Sequence, residues 1–348
     1  MNVIRPVREA DLDQMMKLAE RASFGLTSLP KDRELLGKRI AESELGFQRG
    51  AEKPGGELYL FVMEDLDQGR IIGTSAIVSK VGGFEPFYAY EIRVTVHESE
   101  TLGVHKEIET LHLVREHSGP SEIGGLFLAP DYREHGNGRL LSLFRFLFMA
   151  ANRERFESKI IAEMRGVVDE GGRSPFWEAI GHHFFDIDFP KADYLSLKDK
   201  RFIADLMPTC PIYIPLLPKA AQDVIGEVHE KTLPAVKMLR DEGLRHAGMV
   251  DIFEAGPVLS CRLDEVRIVK ECERRVVREI GPEESESRKF IITNRAREFR
   301  ACMGRPAPVD FEGVRVSAET AGTLNVRVGD EVMFGPLHPR SPEEVERP

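Results

Sequence analysis

The chain contains little cysteine, and the cysteines it has are widely spaced. Four occur among 348 residues, and no two of them form a Cys-x-x-Cys pair. Disulfide frameworks and zinc sites need closer or more numerous cysteines, so neither is expected here. We therefore expect no bound metal and a reducing, cytoplasmic environment. The four residues are Cys210, Cys261, Cys272 and Cys302.

A basic surplus and a long apolar run are also lacking. The 48 Lys and Arg residues stand against 58 Asp and Glu residues, a formal net charge of -10, which argues against non-specific binding to nucleic acid. The N-terminal segment MNVIRPVREADLDQ has no apolar core of a secretory signal. The longest apolar stretch, 140–151, is interrupted by Arg145 and is too short to span a bilayer. We expect no membrane association.

Helical and strand-like patterns alternate along the chain and predict a mixed α/β fold, with one curved sheet flanked by helices. Helices are predicted at 11–21, 32–47 and 138–153, and strands include one near 182–189. The proline-rich stretch 207–218 indicates a boundary between two parts of the chain. We predict three regions: a sheet domain at 1–206, a helical and extended segment at 207–258 that includes a faint internal repeat, and a small antiparallel β module with a tail at 259–348.

The segment LFLAPDYREHGNGRLLSLFRFLFMAA, residues 126–151, combines a strand, a glycine-containing turn and an apolar helix. The first amides of a helix have no partner within it, and its dipole is positive there. Gly136 and Gly138 lack a Cβ and would let phosphate oxygens approach those amides, while Arg133 adds a positive charge. An ordinary turn before a buried helix explains these residues equally well, since the spacing differs from the common phosphate-binding motifs.

The pattern Arg133-x-x-Gly136-x-Gly138, between a strand and a long helix, resembles the pyrophosphate motif of the GNAT N-acyltransferase superfamily. The resemblance implies a GNAT-like fold in which this loop holds the pyrophosphate of an acyl-CoA. It also implies that the pantetheine arm lies along the preceding strand like an added β-strand. The implied contacts are with Gly125, Leu126, Phe127 and Leu128 of the strand and with Arg133, Gly136, Asn137 and Gly138 of the loop.

Longer blocks of sequence narrow the resemblance to one family within this superfamily. VIRPV, RFLFMA, AEMRGVVDE, SPFW and AQDVIGEVH are similar to the arginine N-succinyltransferase family, over residues 3–257. This similarity implies direct transfer of the succinyl group of succinyl-CoA to the α-amino group of L-arginine, with no permanently bound cofactor. Some bacteria carry two related subunits, so a homo-oligomer or a hetero-oligomer with a related subunit is expected. The alternatives are an acetyl-CoA or ornithine enzyme, or a CoA-binding scaffold subunit.

Two residues are candidates for proton transfer. His229 matches the family's catalytic histidine, which implies a proton donor to the leaving thiolate, and a histidine suits this role because its pKa lies near working pH. Its alternative role is a capping hydrogen bond at a helix end. Glu122 opens the strand that would carry CoA, where GNAT enzymes often keep a carboxylate base. Its alternative is a solvated strand end.

The charged ends of both substrates need partners of opposite charge. The succinyl carboxylate favours an arginine, for which Arg93 and Arg165 are candidates. The substrate guanidinium favours carboxylates, and the block EMRGVVDE supplies Glu163, Asp169 and Glu170. The alternative for each arginine is an ordinary surface position without a ligand. The alternative for the three carboxylates is an exposed acidic loop that binds no substrate.

Overall fold

The computed structural model describes residues 1–22, 26, 28–50, 52–83, 85–283, 287–296 and 298–339. Within these residues, sixteen strands join in one sheet with helices packed against it, which confirms the predicted mixed α/β fold. No helix among them is both long enough and apolar enough to cross a membrane. Most of the predicted C-terminal tail lies outside the described residues.

The N-terminal third supplies six of the sixteen strands described in the sheet, and two helices that pack against it. The side chain of Asp32 caps the second helix by accepting hydrogen bonds from the backbone N–H groups of Glu34 and Leu35. The elements are β1 (Asn2–Pro6), α1 (Leu12–Arg21), α2 (Arg33–Gln48), β2 (Leu58–Asp65), β3 (Arg70–Val78), β4 (Phe87–Ser99), β5 (Val104–Glu116) and β6 (Ser121–Leu128).

The middle third is mostly helical. Its elements are α3 (Asn137–Ala151), β7 (Lys159–Glu163), α4 (Pro175–Ala179), α5 (Gly181–Phe185), α6 (Phe189–Ser196), α7 (Arg201–Leu206), β8 (Ile212–Tyr213), α8 (Lys219–Gln222), α9 (Leu233–Asp241), β9 (Arg245–Val250), β10 (Pro257–Arg262) and α10 (Arg267–Lys270).

The strand predicted near 182–189 is wrong, because this segment forms α5 and the start of α6. Trp177, Gly181, Phe185 and Phe189 recur every four residues, which is a helical spacing. Gly181 lies against the Trp177 ring so closely that a Cβ at this position would be 2.2 Å from it. The three aromatic residues are buried in one cluster, so packing on that face selects helices over an alternating strand.

The C-terminal strands extend the same sheet. They are β11 (Glu273–Ile280), β12 (Phe290–Asn294), β13 (Ala301–Gly304), β14 (Ala307–Pro308), β15 (Gly313–Val316) and, after α11 (Ala318–Leu324), β16 (Glu331–Pro336). The pairing of β11 with β15 is parallel, so the predicted purely antiparallel module is wrong in that pair. β13 pairs with β1, Ala301 opposite Ile4. The division into three regions stays a prediction.

The sheet opens at its centre, between β6 and β7. The order runs β14-β15-β11-β16-β12-β13-β1-β2-β3-β6-β7-β10-β9-β4-β5-β8. The parallel strands β6 and β7 pair only at Ser121 with Ile160 and at Glu122 with Ile161. Beyond Glu122 the β7-facing edge of β6 is therefore not paired with that strand. A bulge follows in β6, where Gly125 takes a left-handed φ of 60° that favours glycine.

Helix α3 lies across the sheet and is buried on nearly all sides, as its apolar sequence predicts. The rings of Phe144 and Phe148 pack edge-on against Phe61 of β2, with ring centroids 4.8 and 5.0 Å apart. Phe299 of the C-terminal region packs 4.9 Å from Phe148. Contacts with both parts of the chain hold the N-terminal end of α3 in a fixed position.

Candidate active site

The loop before α3 presents unpaired backbone amides. His135 and Gly136 take left-handed φ angles of 55° and 89°, and no side chain caps the helix. Among the described residues, the N–H groups of Gly136, Gly138 and Arg139 have no hydrogen-bond acceptor. Successive amides in such a turn, at the positive end of a helix dipole, form a concave site for an anion.

Two polar side chains of the predicted motif hold this loop in place. Arg133 donates from Nε to the carbonyl of Leu128 (3.0 Å), so it lies across the end of β6. Asn137 donates from Nδ2 to the carbonyl of Tyr132 (3.0 Å) and accepts from Nδ2 of Asn2 (3.0 Å). The guanidinium of Arg133 lies over the Phe127 ring, 6.0 Å from its centroid, and its terminal nitrogens form no hydrogen bond or ion pair with the described part of the chain, so they can bind an anion. Asn137 instead stabilises the loop through its two hydrogen bonds.

A cavity of about 420 Å³ lies beside the open edge of β6. Its walls come from α2, β3, β6, the end of β7, the segment around α6 and α7, and residues 251–253. Gly124 and Gly125 of β6 form part of the wall, next to Ser28. Five carboxylates and two cationic side chains line it among the described residues: Glu85, Glu122, Glu163, Asp193 and Asp251, with Arg39 and Lys200.

These carboxylates crowd one another. Burial raises the pKa of Glu122, against the opposing effect of Lys200 and Arg39. Burial raises the pKa of Glu163 well above its usual range, and the charges of Glu122 and Asp251 add to the effect. The Glu163 side chain is exposed where it lines the cavity. A cation that entered the pocket would relieve this repulsion.

Two further carboxylates, one in the cavity wall and one outside it, are crowded in the same way. Burial, with a contribution from Asp251, raises the pKa of Asp193 to about 7 and that of Glu254 to about 8. Oε1 of Glu254 accepts a hydrogen bond from the backbone N–H of Gly166 (2.8 Å). Arg165 opposes both pKa shifts, which places its guanidinium near these two carboxylates. Arg165 therefore lies in an acidic environment, outside the described wall of the cavity.

His229 is attached to the same region through the backbone. Its N–H donates to the carbonyl of Arg165 (3.0 Å), two residues after Glu163 at the end of β7. Nδ1 accepts a hydrogen bond from the backbone N–H of Lys231 (3.1 Å), so the capping role is present. This acceptor role assigns the ring proton to Nε2. Burial, then the charges of Arg165 and Lys231, lowers the pKa of His229.

The structure brings together some of the predicted residues and separates others. Glu122, Glu163 and Gly125 share the cavity, and Arg165 and His229 adjoin it. Arg93 lies on β4 and pairs at the surface with Glu91 (2.5 Å), outside the cavity wall.

The other predicted carboxylates also lie outside the cavity. Asp169 and Glu170 occupy an exposed loop, where Asp169 accepts a hydrogen bond from the backbone N–H of Arg173 (2.8 Å).

Several residues of the cavity were not found from the sequence. They are Arg39, Asp193, Lys200 and Asp251. They belong to separate helices and loops with ordinary charged neighbours. No motif or regular spacing in the sequence links them to one another. Only the folded chain brings them to one wall.

Comparisons with known proteins identify the family. A family model described as the arginine N-succinyltransferase beta subunit matches residues 2–268, and a model of its C-terminal domain matches residues 273–336. The chain is 44% identical to an arginine N-succinyltransferase of Yersinia pestis, over 95% of this chain and 97% of that protein. It is 43% identical to the arginine N-succinyltransferase subunit beta of Pseudomonas aeruginosa, over 96% of this chain and 98% of the relative.

A solved structure gives the same result. Subunit AI of the arginine/ornithine succinyltransferase of Pseudomonas aeruginosa superimposes with a TM-score of 0.89 and 34% sequence identity. The match covers 97% of this chain and 99% of that one. The likeness thus spans all the elements that form the loop before α3 and the cavity. The chain belongs to the arginine N-succinyltransferase family, as the resemblance in its sequence predicts.

Proposed function

We propose that this protein transfers the succinyl group of succinyl-CoA to the α-amino group of L-arginine, in the breakdown of arginine. The observation that carries this proposal is the acidic cavity beside the open edge of β6. A surplus of carboxylates suits an acceptor that carries two positive charges, and the two cationic side chains suit the carboxylates of acceptor and donor. Membership of the family supports the same reaction.

The donor binds along β6 and the loop that follows it. The diphosphate of CoA accepts hydrogen bonds from the amides of Gly136, Gly138 and Arg139, at the positive end of α3. The pantetheine arm extends along the unpaired edge of β6, where Gly125–Leu128 offers backbone groups to it as a neighbouring strand would. The thioester then lies at the mouth of the acidic cavity, near Gly124.

The acceptor binds deeper in the cavity. Its guanidinium pairs with Glu163, Asp193 and Asp251, which line the cavity together and whose pKa values are raised by burial. Binding lowers the pKa of these carboxyls toward the ordinary range, because an opposite charge favours the ionised form. The α-amino group then points toward the donor at β6.

The reaction needs no covalent enzyme intermediate. The amine of arginine attacks the thioester carbon, the new C–N bond forms, and the C–S bond breaks to release CoA. Glu122, whose pKa burial raises, accepts the proton from the ammonium group. His229 transfers a proton from Nε2 to the departing sulfur in its imidazolium form, which the lowered pKa makes a stronger acid, and the second proton that the attacking nitrogen loses restores that form. The thiol of CoA has a pKa of about 8.5, so it leaves with a proton.

Release of free thiol tests the donor and the acceptor together. We expect the purified chain to release CoA fastest from succinyl-CoA with L-arginine, and much more slowly from acetyl-CoA or with ornithine. Preference for acetyl-CoA or for ornithine would contradict the assignment of that substrate. A chain that binds CoA and turns over none of these pairs would be a scaffold subunit.

Substitution of Gly138 tests the phosphate site. A Cβ at Gly138 would meet no described atom within 4 Å, so Gly138→Val adds bulk only where the diphosphate is expected. We expect KM for succinyl-CoA to rise about 10-fold, the equivalent of one charge-assisted hydrogen bond, with KM for arginine unchanged. Gly136→Val is a poorer test, since Gly136 has a left-handed φ and a Cβ there would lie 3.0 Å from Leu337.

Gly322→Val is the matched control. Gly322 is a helical glycine of α11, and a Cβ there also meets no described atom within 4 Å. Equal changes in both variants would mean that valine acts through helix stability, and the phosphate site would be rejected.

The partner in assembly is a further part of the proposal. The ends of β4 and β5 form a two-stranded arm, and it exposes Val94 (57%), Val96 (51%) and Leu102 (76%). An isolated pair of strands is marginally stable in water. We infer that a second copy of this chain covers the arm, and a monomeric mass in solution would contradict this.

A further inference from the structure

One arginine in the cavity wall has no partner. Arg39 lies in α2, and its Nε is buried without a hydrogen bond. None of its nitrogens forms a hydrogen bond or an ion pair with the described part of the chain. Burial lowers the pKa of its guanidinium. A buried charge without a partner is costly, so its position needs an explanation outside the apo protein.

The helix that carries Arg39 is held firmly. Leu36 and Ile40, which flank Arg39 in α2, are buried in the core with exposures of 0% and 1%. The hydroxyl of Ser43 accepts a hydrogen bond from the backbone N–H of Leu60 in β2 (2.8 Å). Arg39 therefore cannot leave the wall by movement of α2. Its guanidinium is presented to the cavity from a rigid element, which is how binding residues are normally supported.

The three cations in and near the cavity differ in their surroundings. Lys200 lies among Glu122, Glu163 and Asp251, since its charge opposes the raised pKa of all three. Arg165 lies in the same way near Asp193 and Glu254.

Arg39 has two acidic neighbours, as Arg165 has, whereas Lys200 has three. The carboxylates that act on it are Glu122, at the start of β6, and Glu42, on its own helix. Neither is close enough for an ion pair with it in the described residues. Nε of Arg165 is likewise buried without a hydrogen bond, but Arg39 is the arginine among the described residues that lines the cavity, so it can pair with an anion that enters there.

The position of Arg39 points to the donor. Glu122 starts the strand along which the pantetheine extends, and Gly124 and Gly125 of that strand line the same cavity as Arg39. Ser28, which precedes α2, is 3.2 Å from the position of a Cβ on Gly125, so the segment that leads into α2 packs against this strand. The carboxylate of a succinyl group extends about 4 Å past the thioester carbon, the span of three C–C bonds.

We propose that Arg39 binds the terminal carboxylate of the succinyl group and sets the preference for succinyl-CoA over acetyl-CoA. The inference rests on the proposed donor. A guanidinium can hold a carboxylate through two parallel hydrogen bonds. Acetyl-CoA has no such group and leaves the Arg39 charge buried and unpaired. A site that loses its partner in this way discriminates more strongly than a difference in size does.

The test compares two donors in one variant. In Arg39→Met we expect kcat/KM for succinyl-CoA to fall about 10- to 100-fold, as for loss of a charge-assisted hydrogen bond. We expect kcat/KM for acetyl-CoA to stay level or rise, and KM for arginine to be unchanged. Arg39→Lys keeps the charge without the two-pronged geometry, so it should restore part of the preference.

Arg33→Met is the control variant. Arg33 lies in the same helix, is exposed, and pairs with Asp13 (2.7 Å) at the surface. It should leave both donors unchanged. A thermal melt of Arg39→Met should show a midpoint equal to or above that of the wild type, because the substitution removes a buried charge that has no partner.

Three results would overturn the inference. An equal loss with both donors would mean that Arg39 only positions or tunes Glu122. A higher KM for arginine, with no change for agmatine, which lacks the α-carboxylate, would mean that Arg39 binds the acceptor. An unchanged donor ratio would remove Arg39 from recognition altogether.

Calorimetric binding of succinyl-CoA and acetyl-CoA separates this inference from the proposed function. If wild type transfers no succinyl group yet binds succinyl-CoA more tightly through Arg39, the proposed reaction fails and the site stands. If wild type transfers succinyl groups and Arg39→Met keeps the same ratio of affinities, the reaction stands and the site fails.

Discussion

In His229→Ala we expect kcat to fall about 10²- to 10⁴-fold, the range for loss of a general acid or base. The dissociation constant of succinyl-CoA should stay close to that of the wild type, because the donor contacts lie on β6 and before α3. The expected defect is in proton transfer to the leaving sulfur, since Nε2 carries the ring proton. Single-turnover thiol release with saturating donor measures it directly.

His246→Ala is a matched control. Nδ1 of His246 also accepts a hydrogen bond from a backbone N–H two residues later, that of Gly248 (3.0 Å). Burial likewise lowers the pKa of His246. The variant should retain most of its turnover. If His229→Ala stays as active as His246→Ala, the His229 ring serves only as a cap, and the mechanism proposed above is wrong.

In Glu163→Gln we expect KM for arginine to rise about 100-fold, at the upper end for a hydrogen bond to a charged group. KM for succinyl-CoA should be unchanged. Glu163 lies at the end of β7 with its side chain in the acidic cavity. The amide keeps the shape of the carboxyl and removes its charge, so the effect isolates the attraction for the guanidinium.

The pH dependence of KM for arginine is a second test of the role of Glu163. The pKa of Glu163 is raised in the folded protein, so this carboxyl is protonated at a higher pH than in the unfolded chain. Arginine binds the ionised form, and KM for arginine in the wild type should therefore rise as pH falls through the raised pKa. Glu163→Gln should flatten that part of the profile.

Glu170→Gln is the control for this prediction. Glu170 belongs to the same sequence block and lies in an exposed loop. It should leave KM for arginine unchanged. A larger effect at Glu170 than at Glu163 would place the guanidinium at that loop and would contradict the cavity as the acceptor site.

Local sequence was informative wherever one short segment makes a whole feature. The loop before α3 is an example, since its strand, its glycines and its apolar helix are consecutive residues. The left-handed φ of Gly136 and the burial of α3 follow from residue types within that segment. Local sequence was misleading near 182–189, because the four-residue spacing of Trp177, Phe185 and Phe189 mattered more than the local alternation.

The sequence alone determined the family, the mixed α/β class and the segment before α3, because short-range patterns and long matching blocks survive without coordinates. Only the tertiary structure decided which charges share the cavity. Arg39, Asp193, Lys200 and Asp251 lie on four separate parts of the chain, and each looks like an ordinary surface charge in its own segment. Burial and mutual proximity, which are properties of the fold, raise the pKa of Asp193 and Asp251 and leave Arg39 without a partner in the described residues.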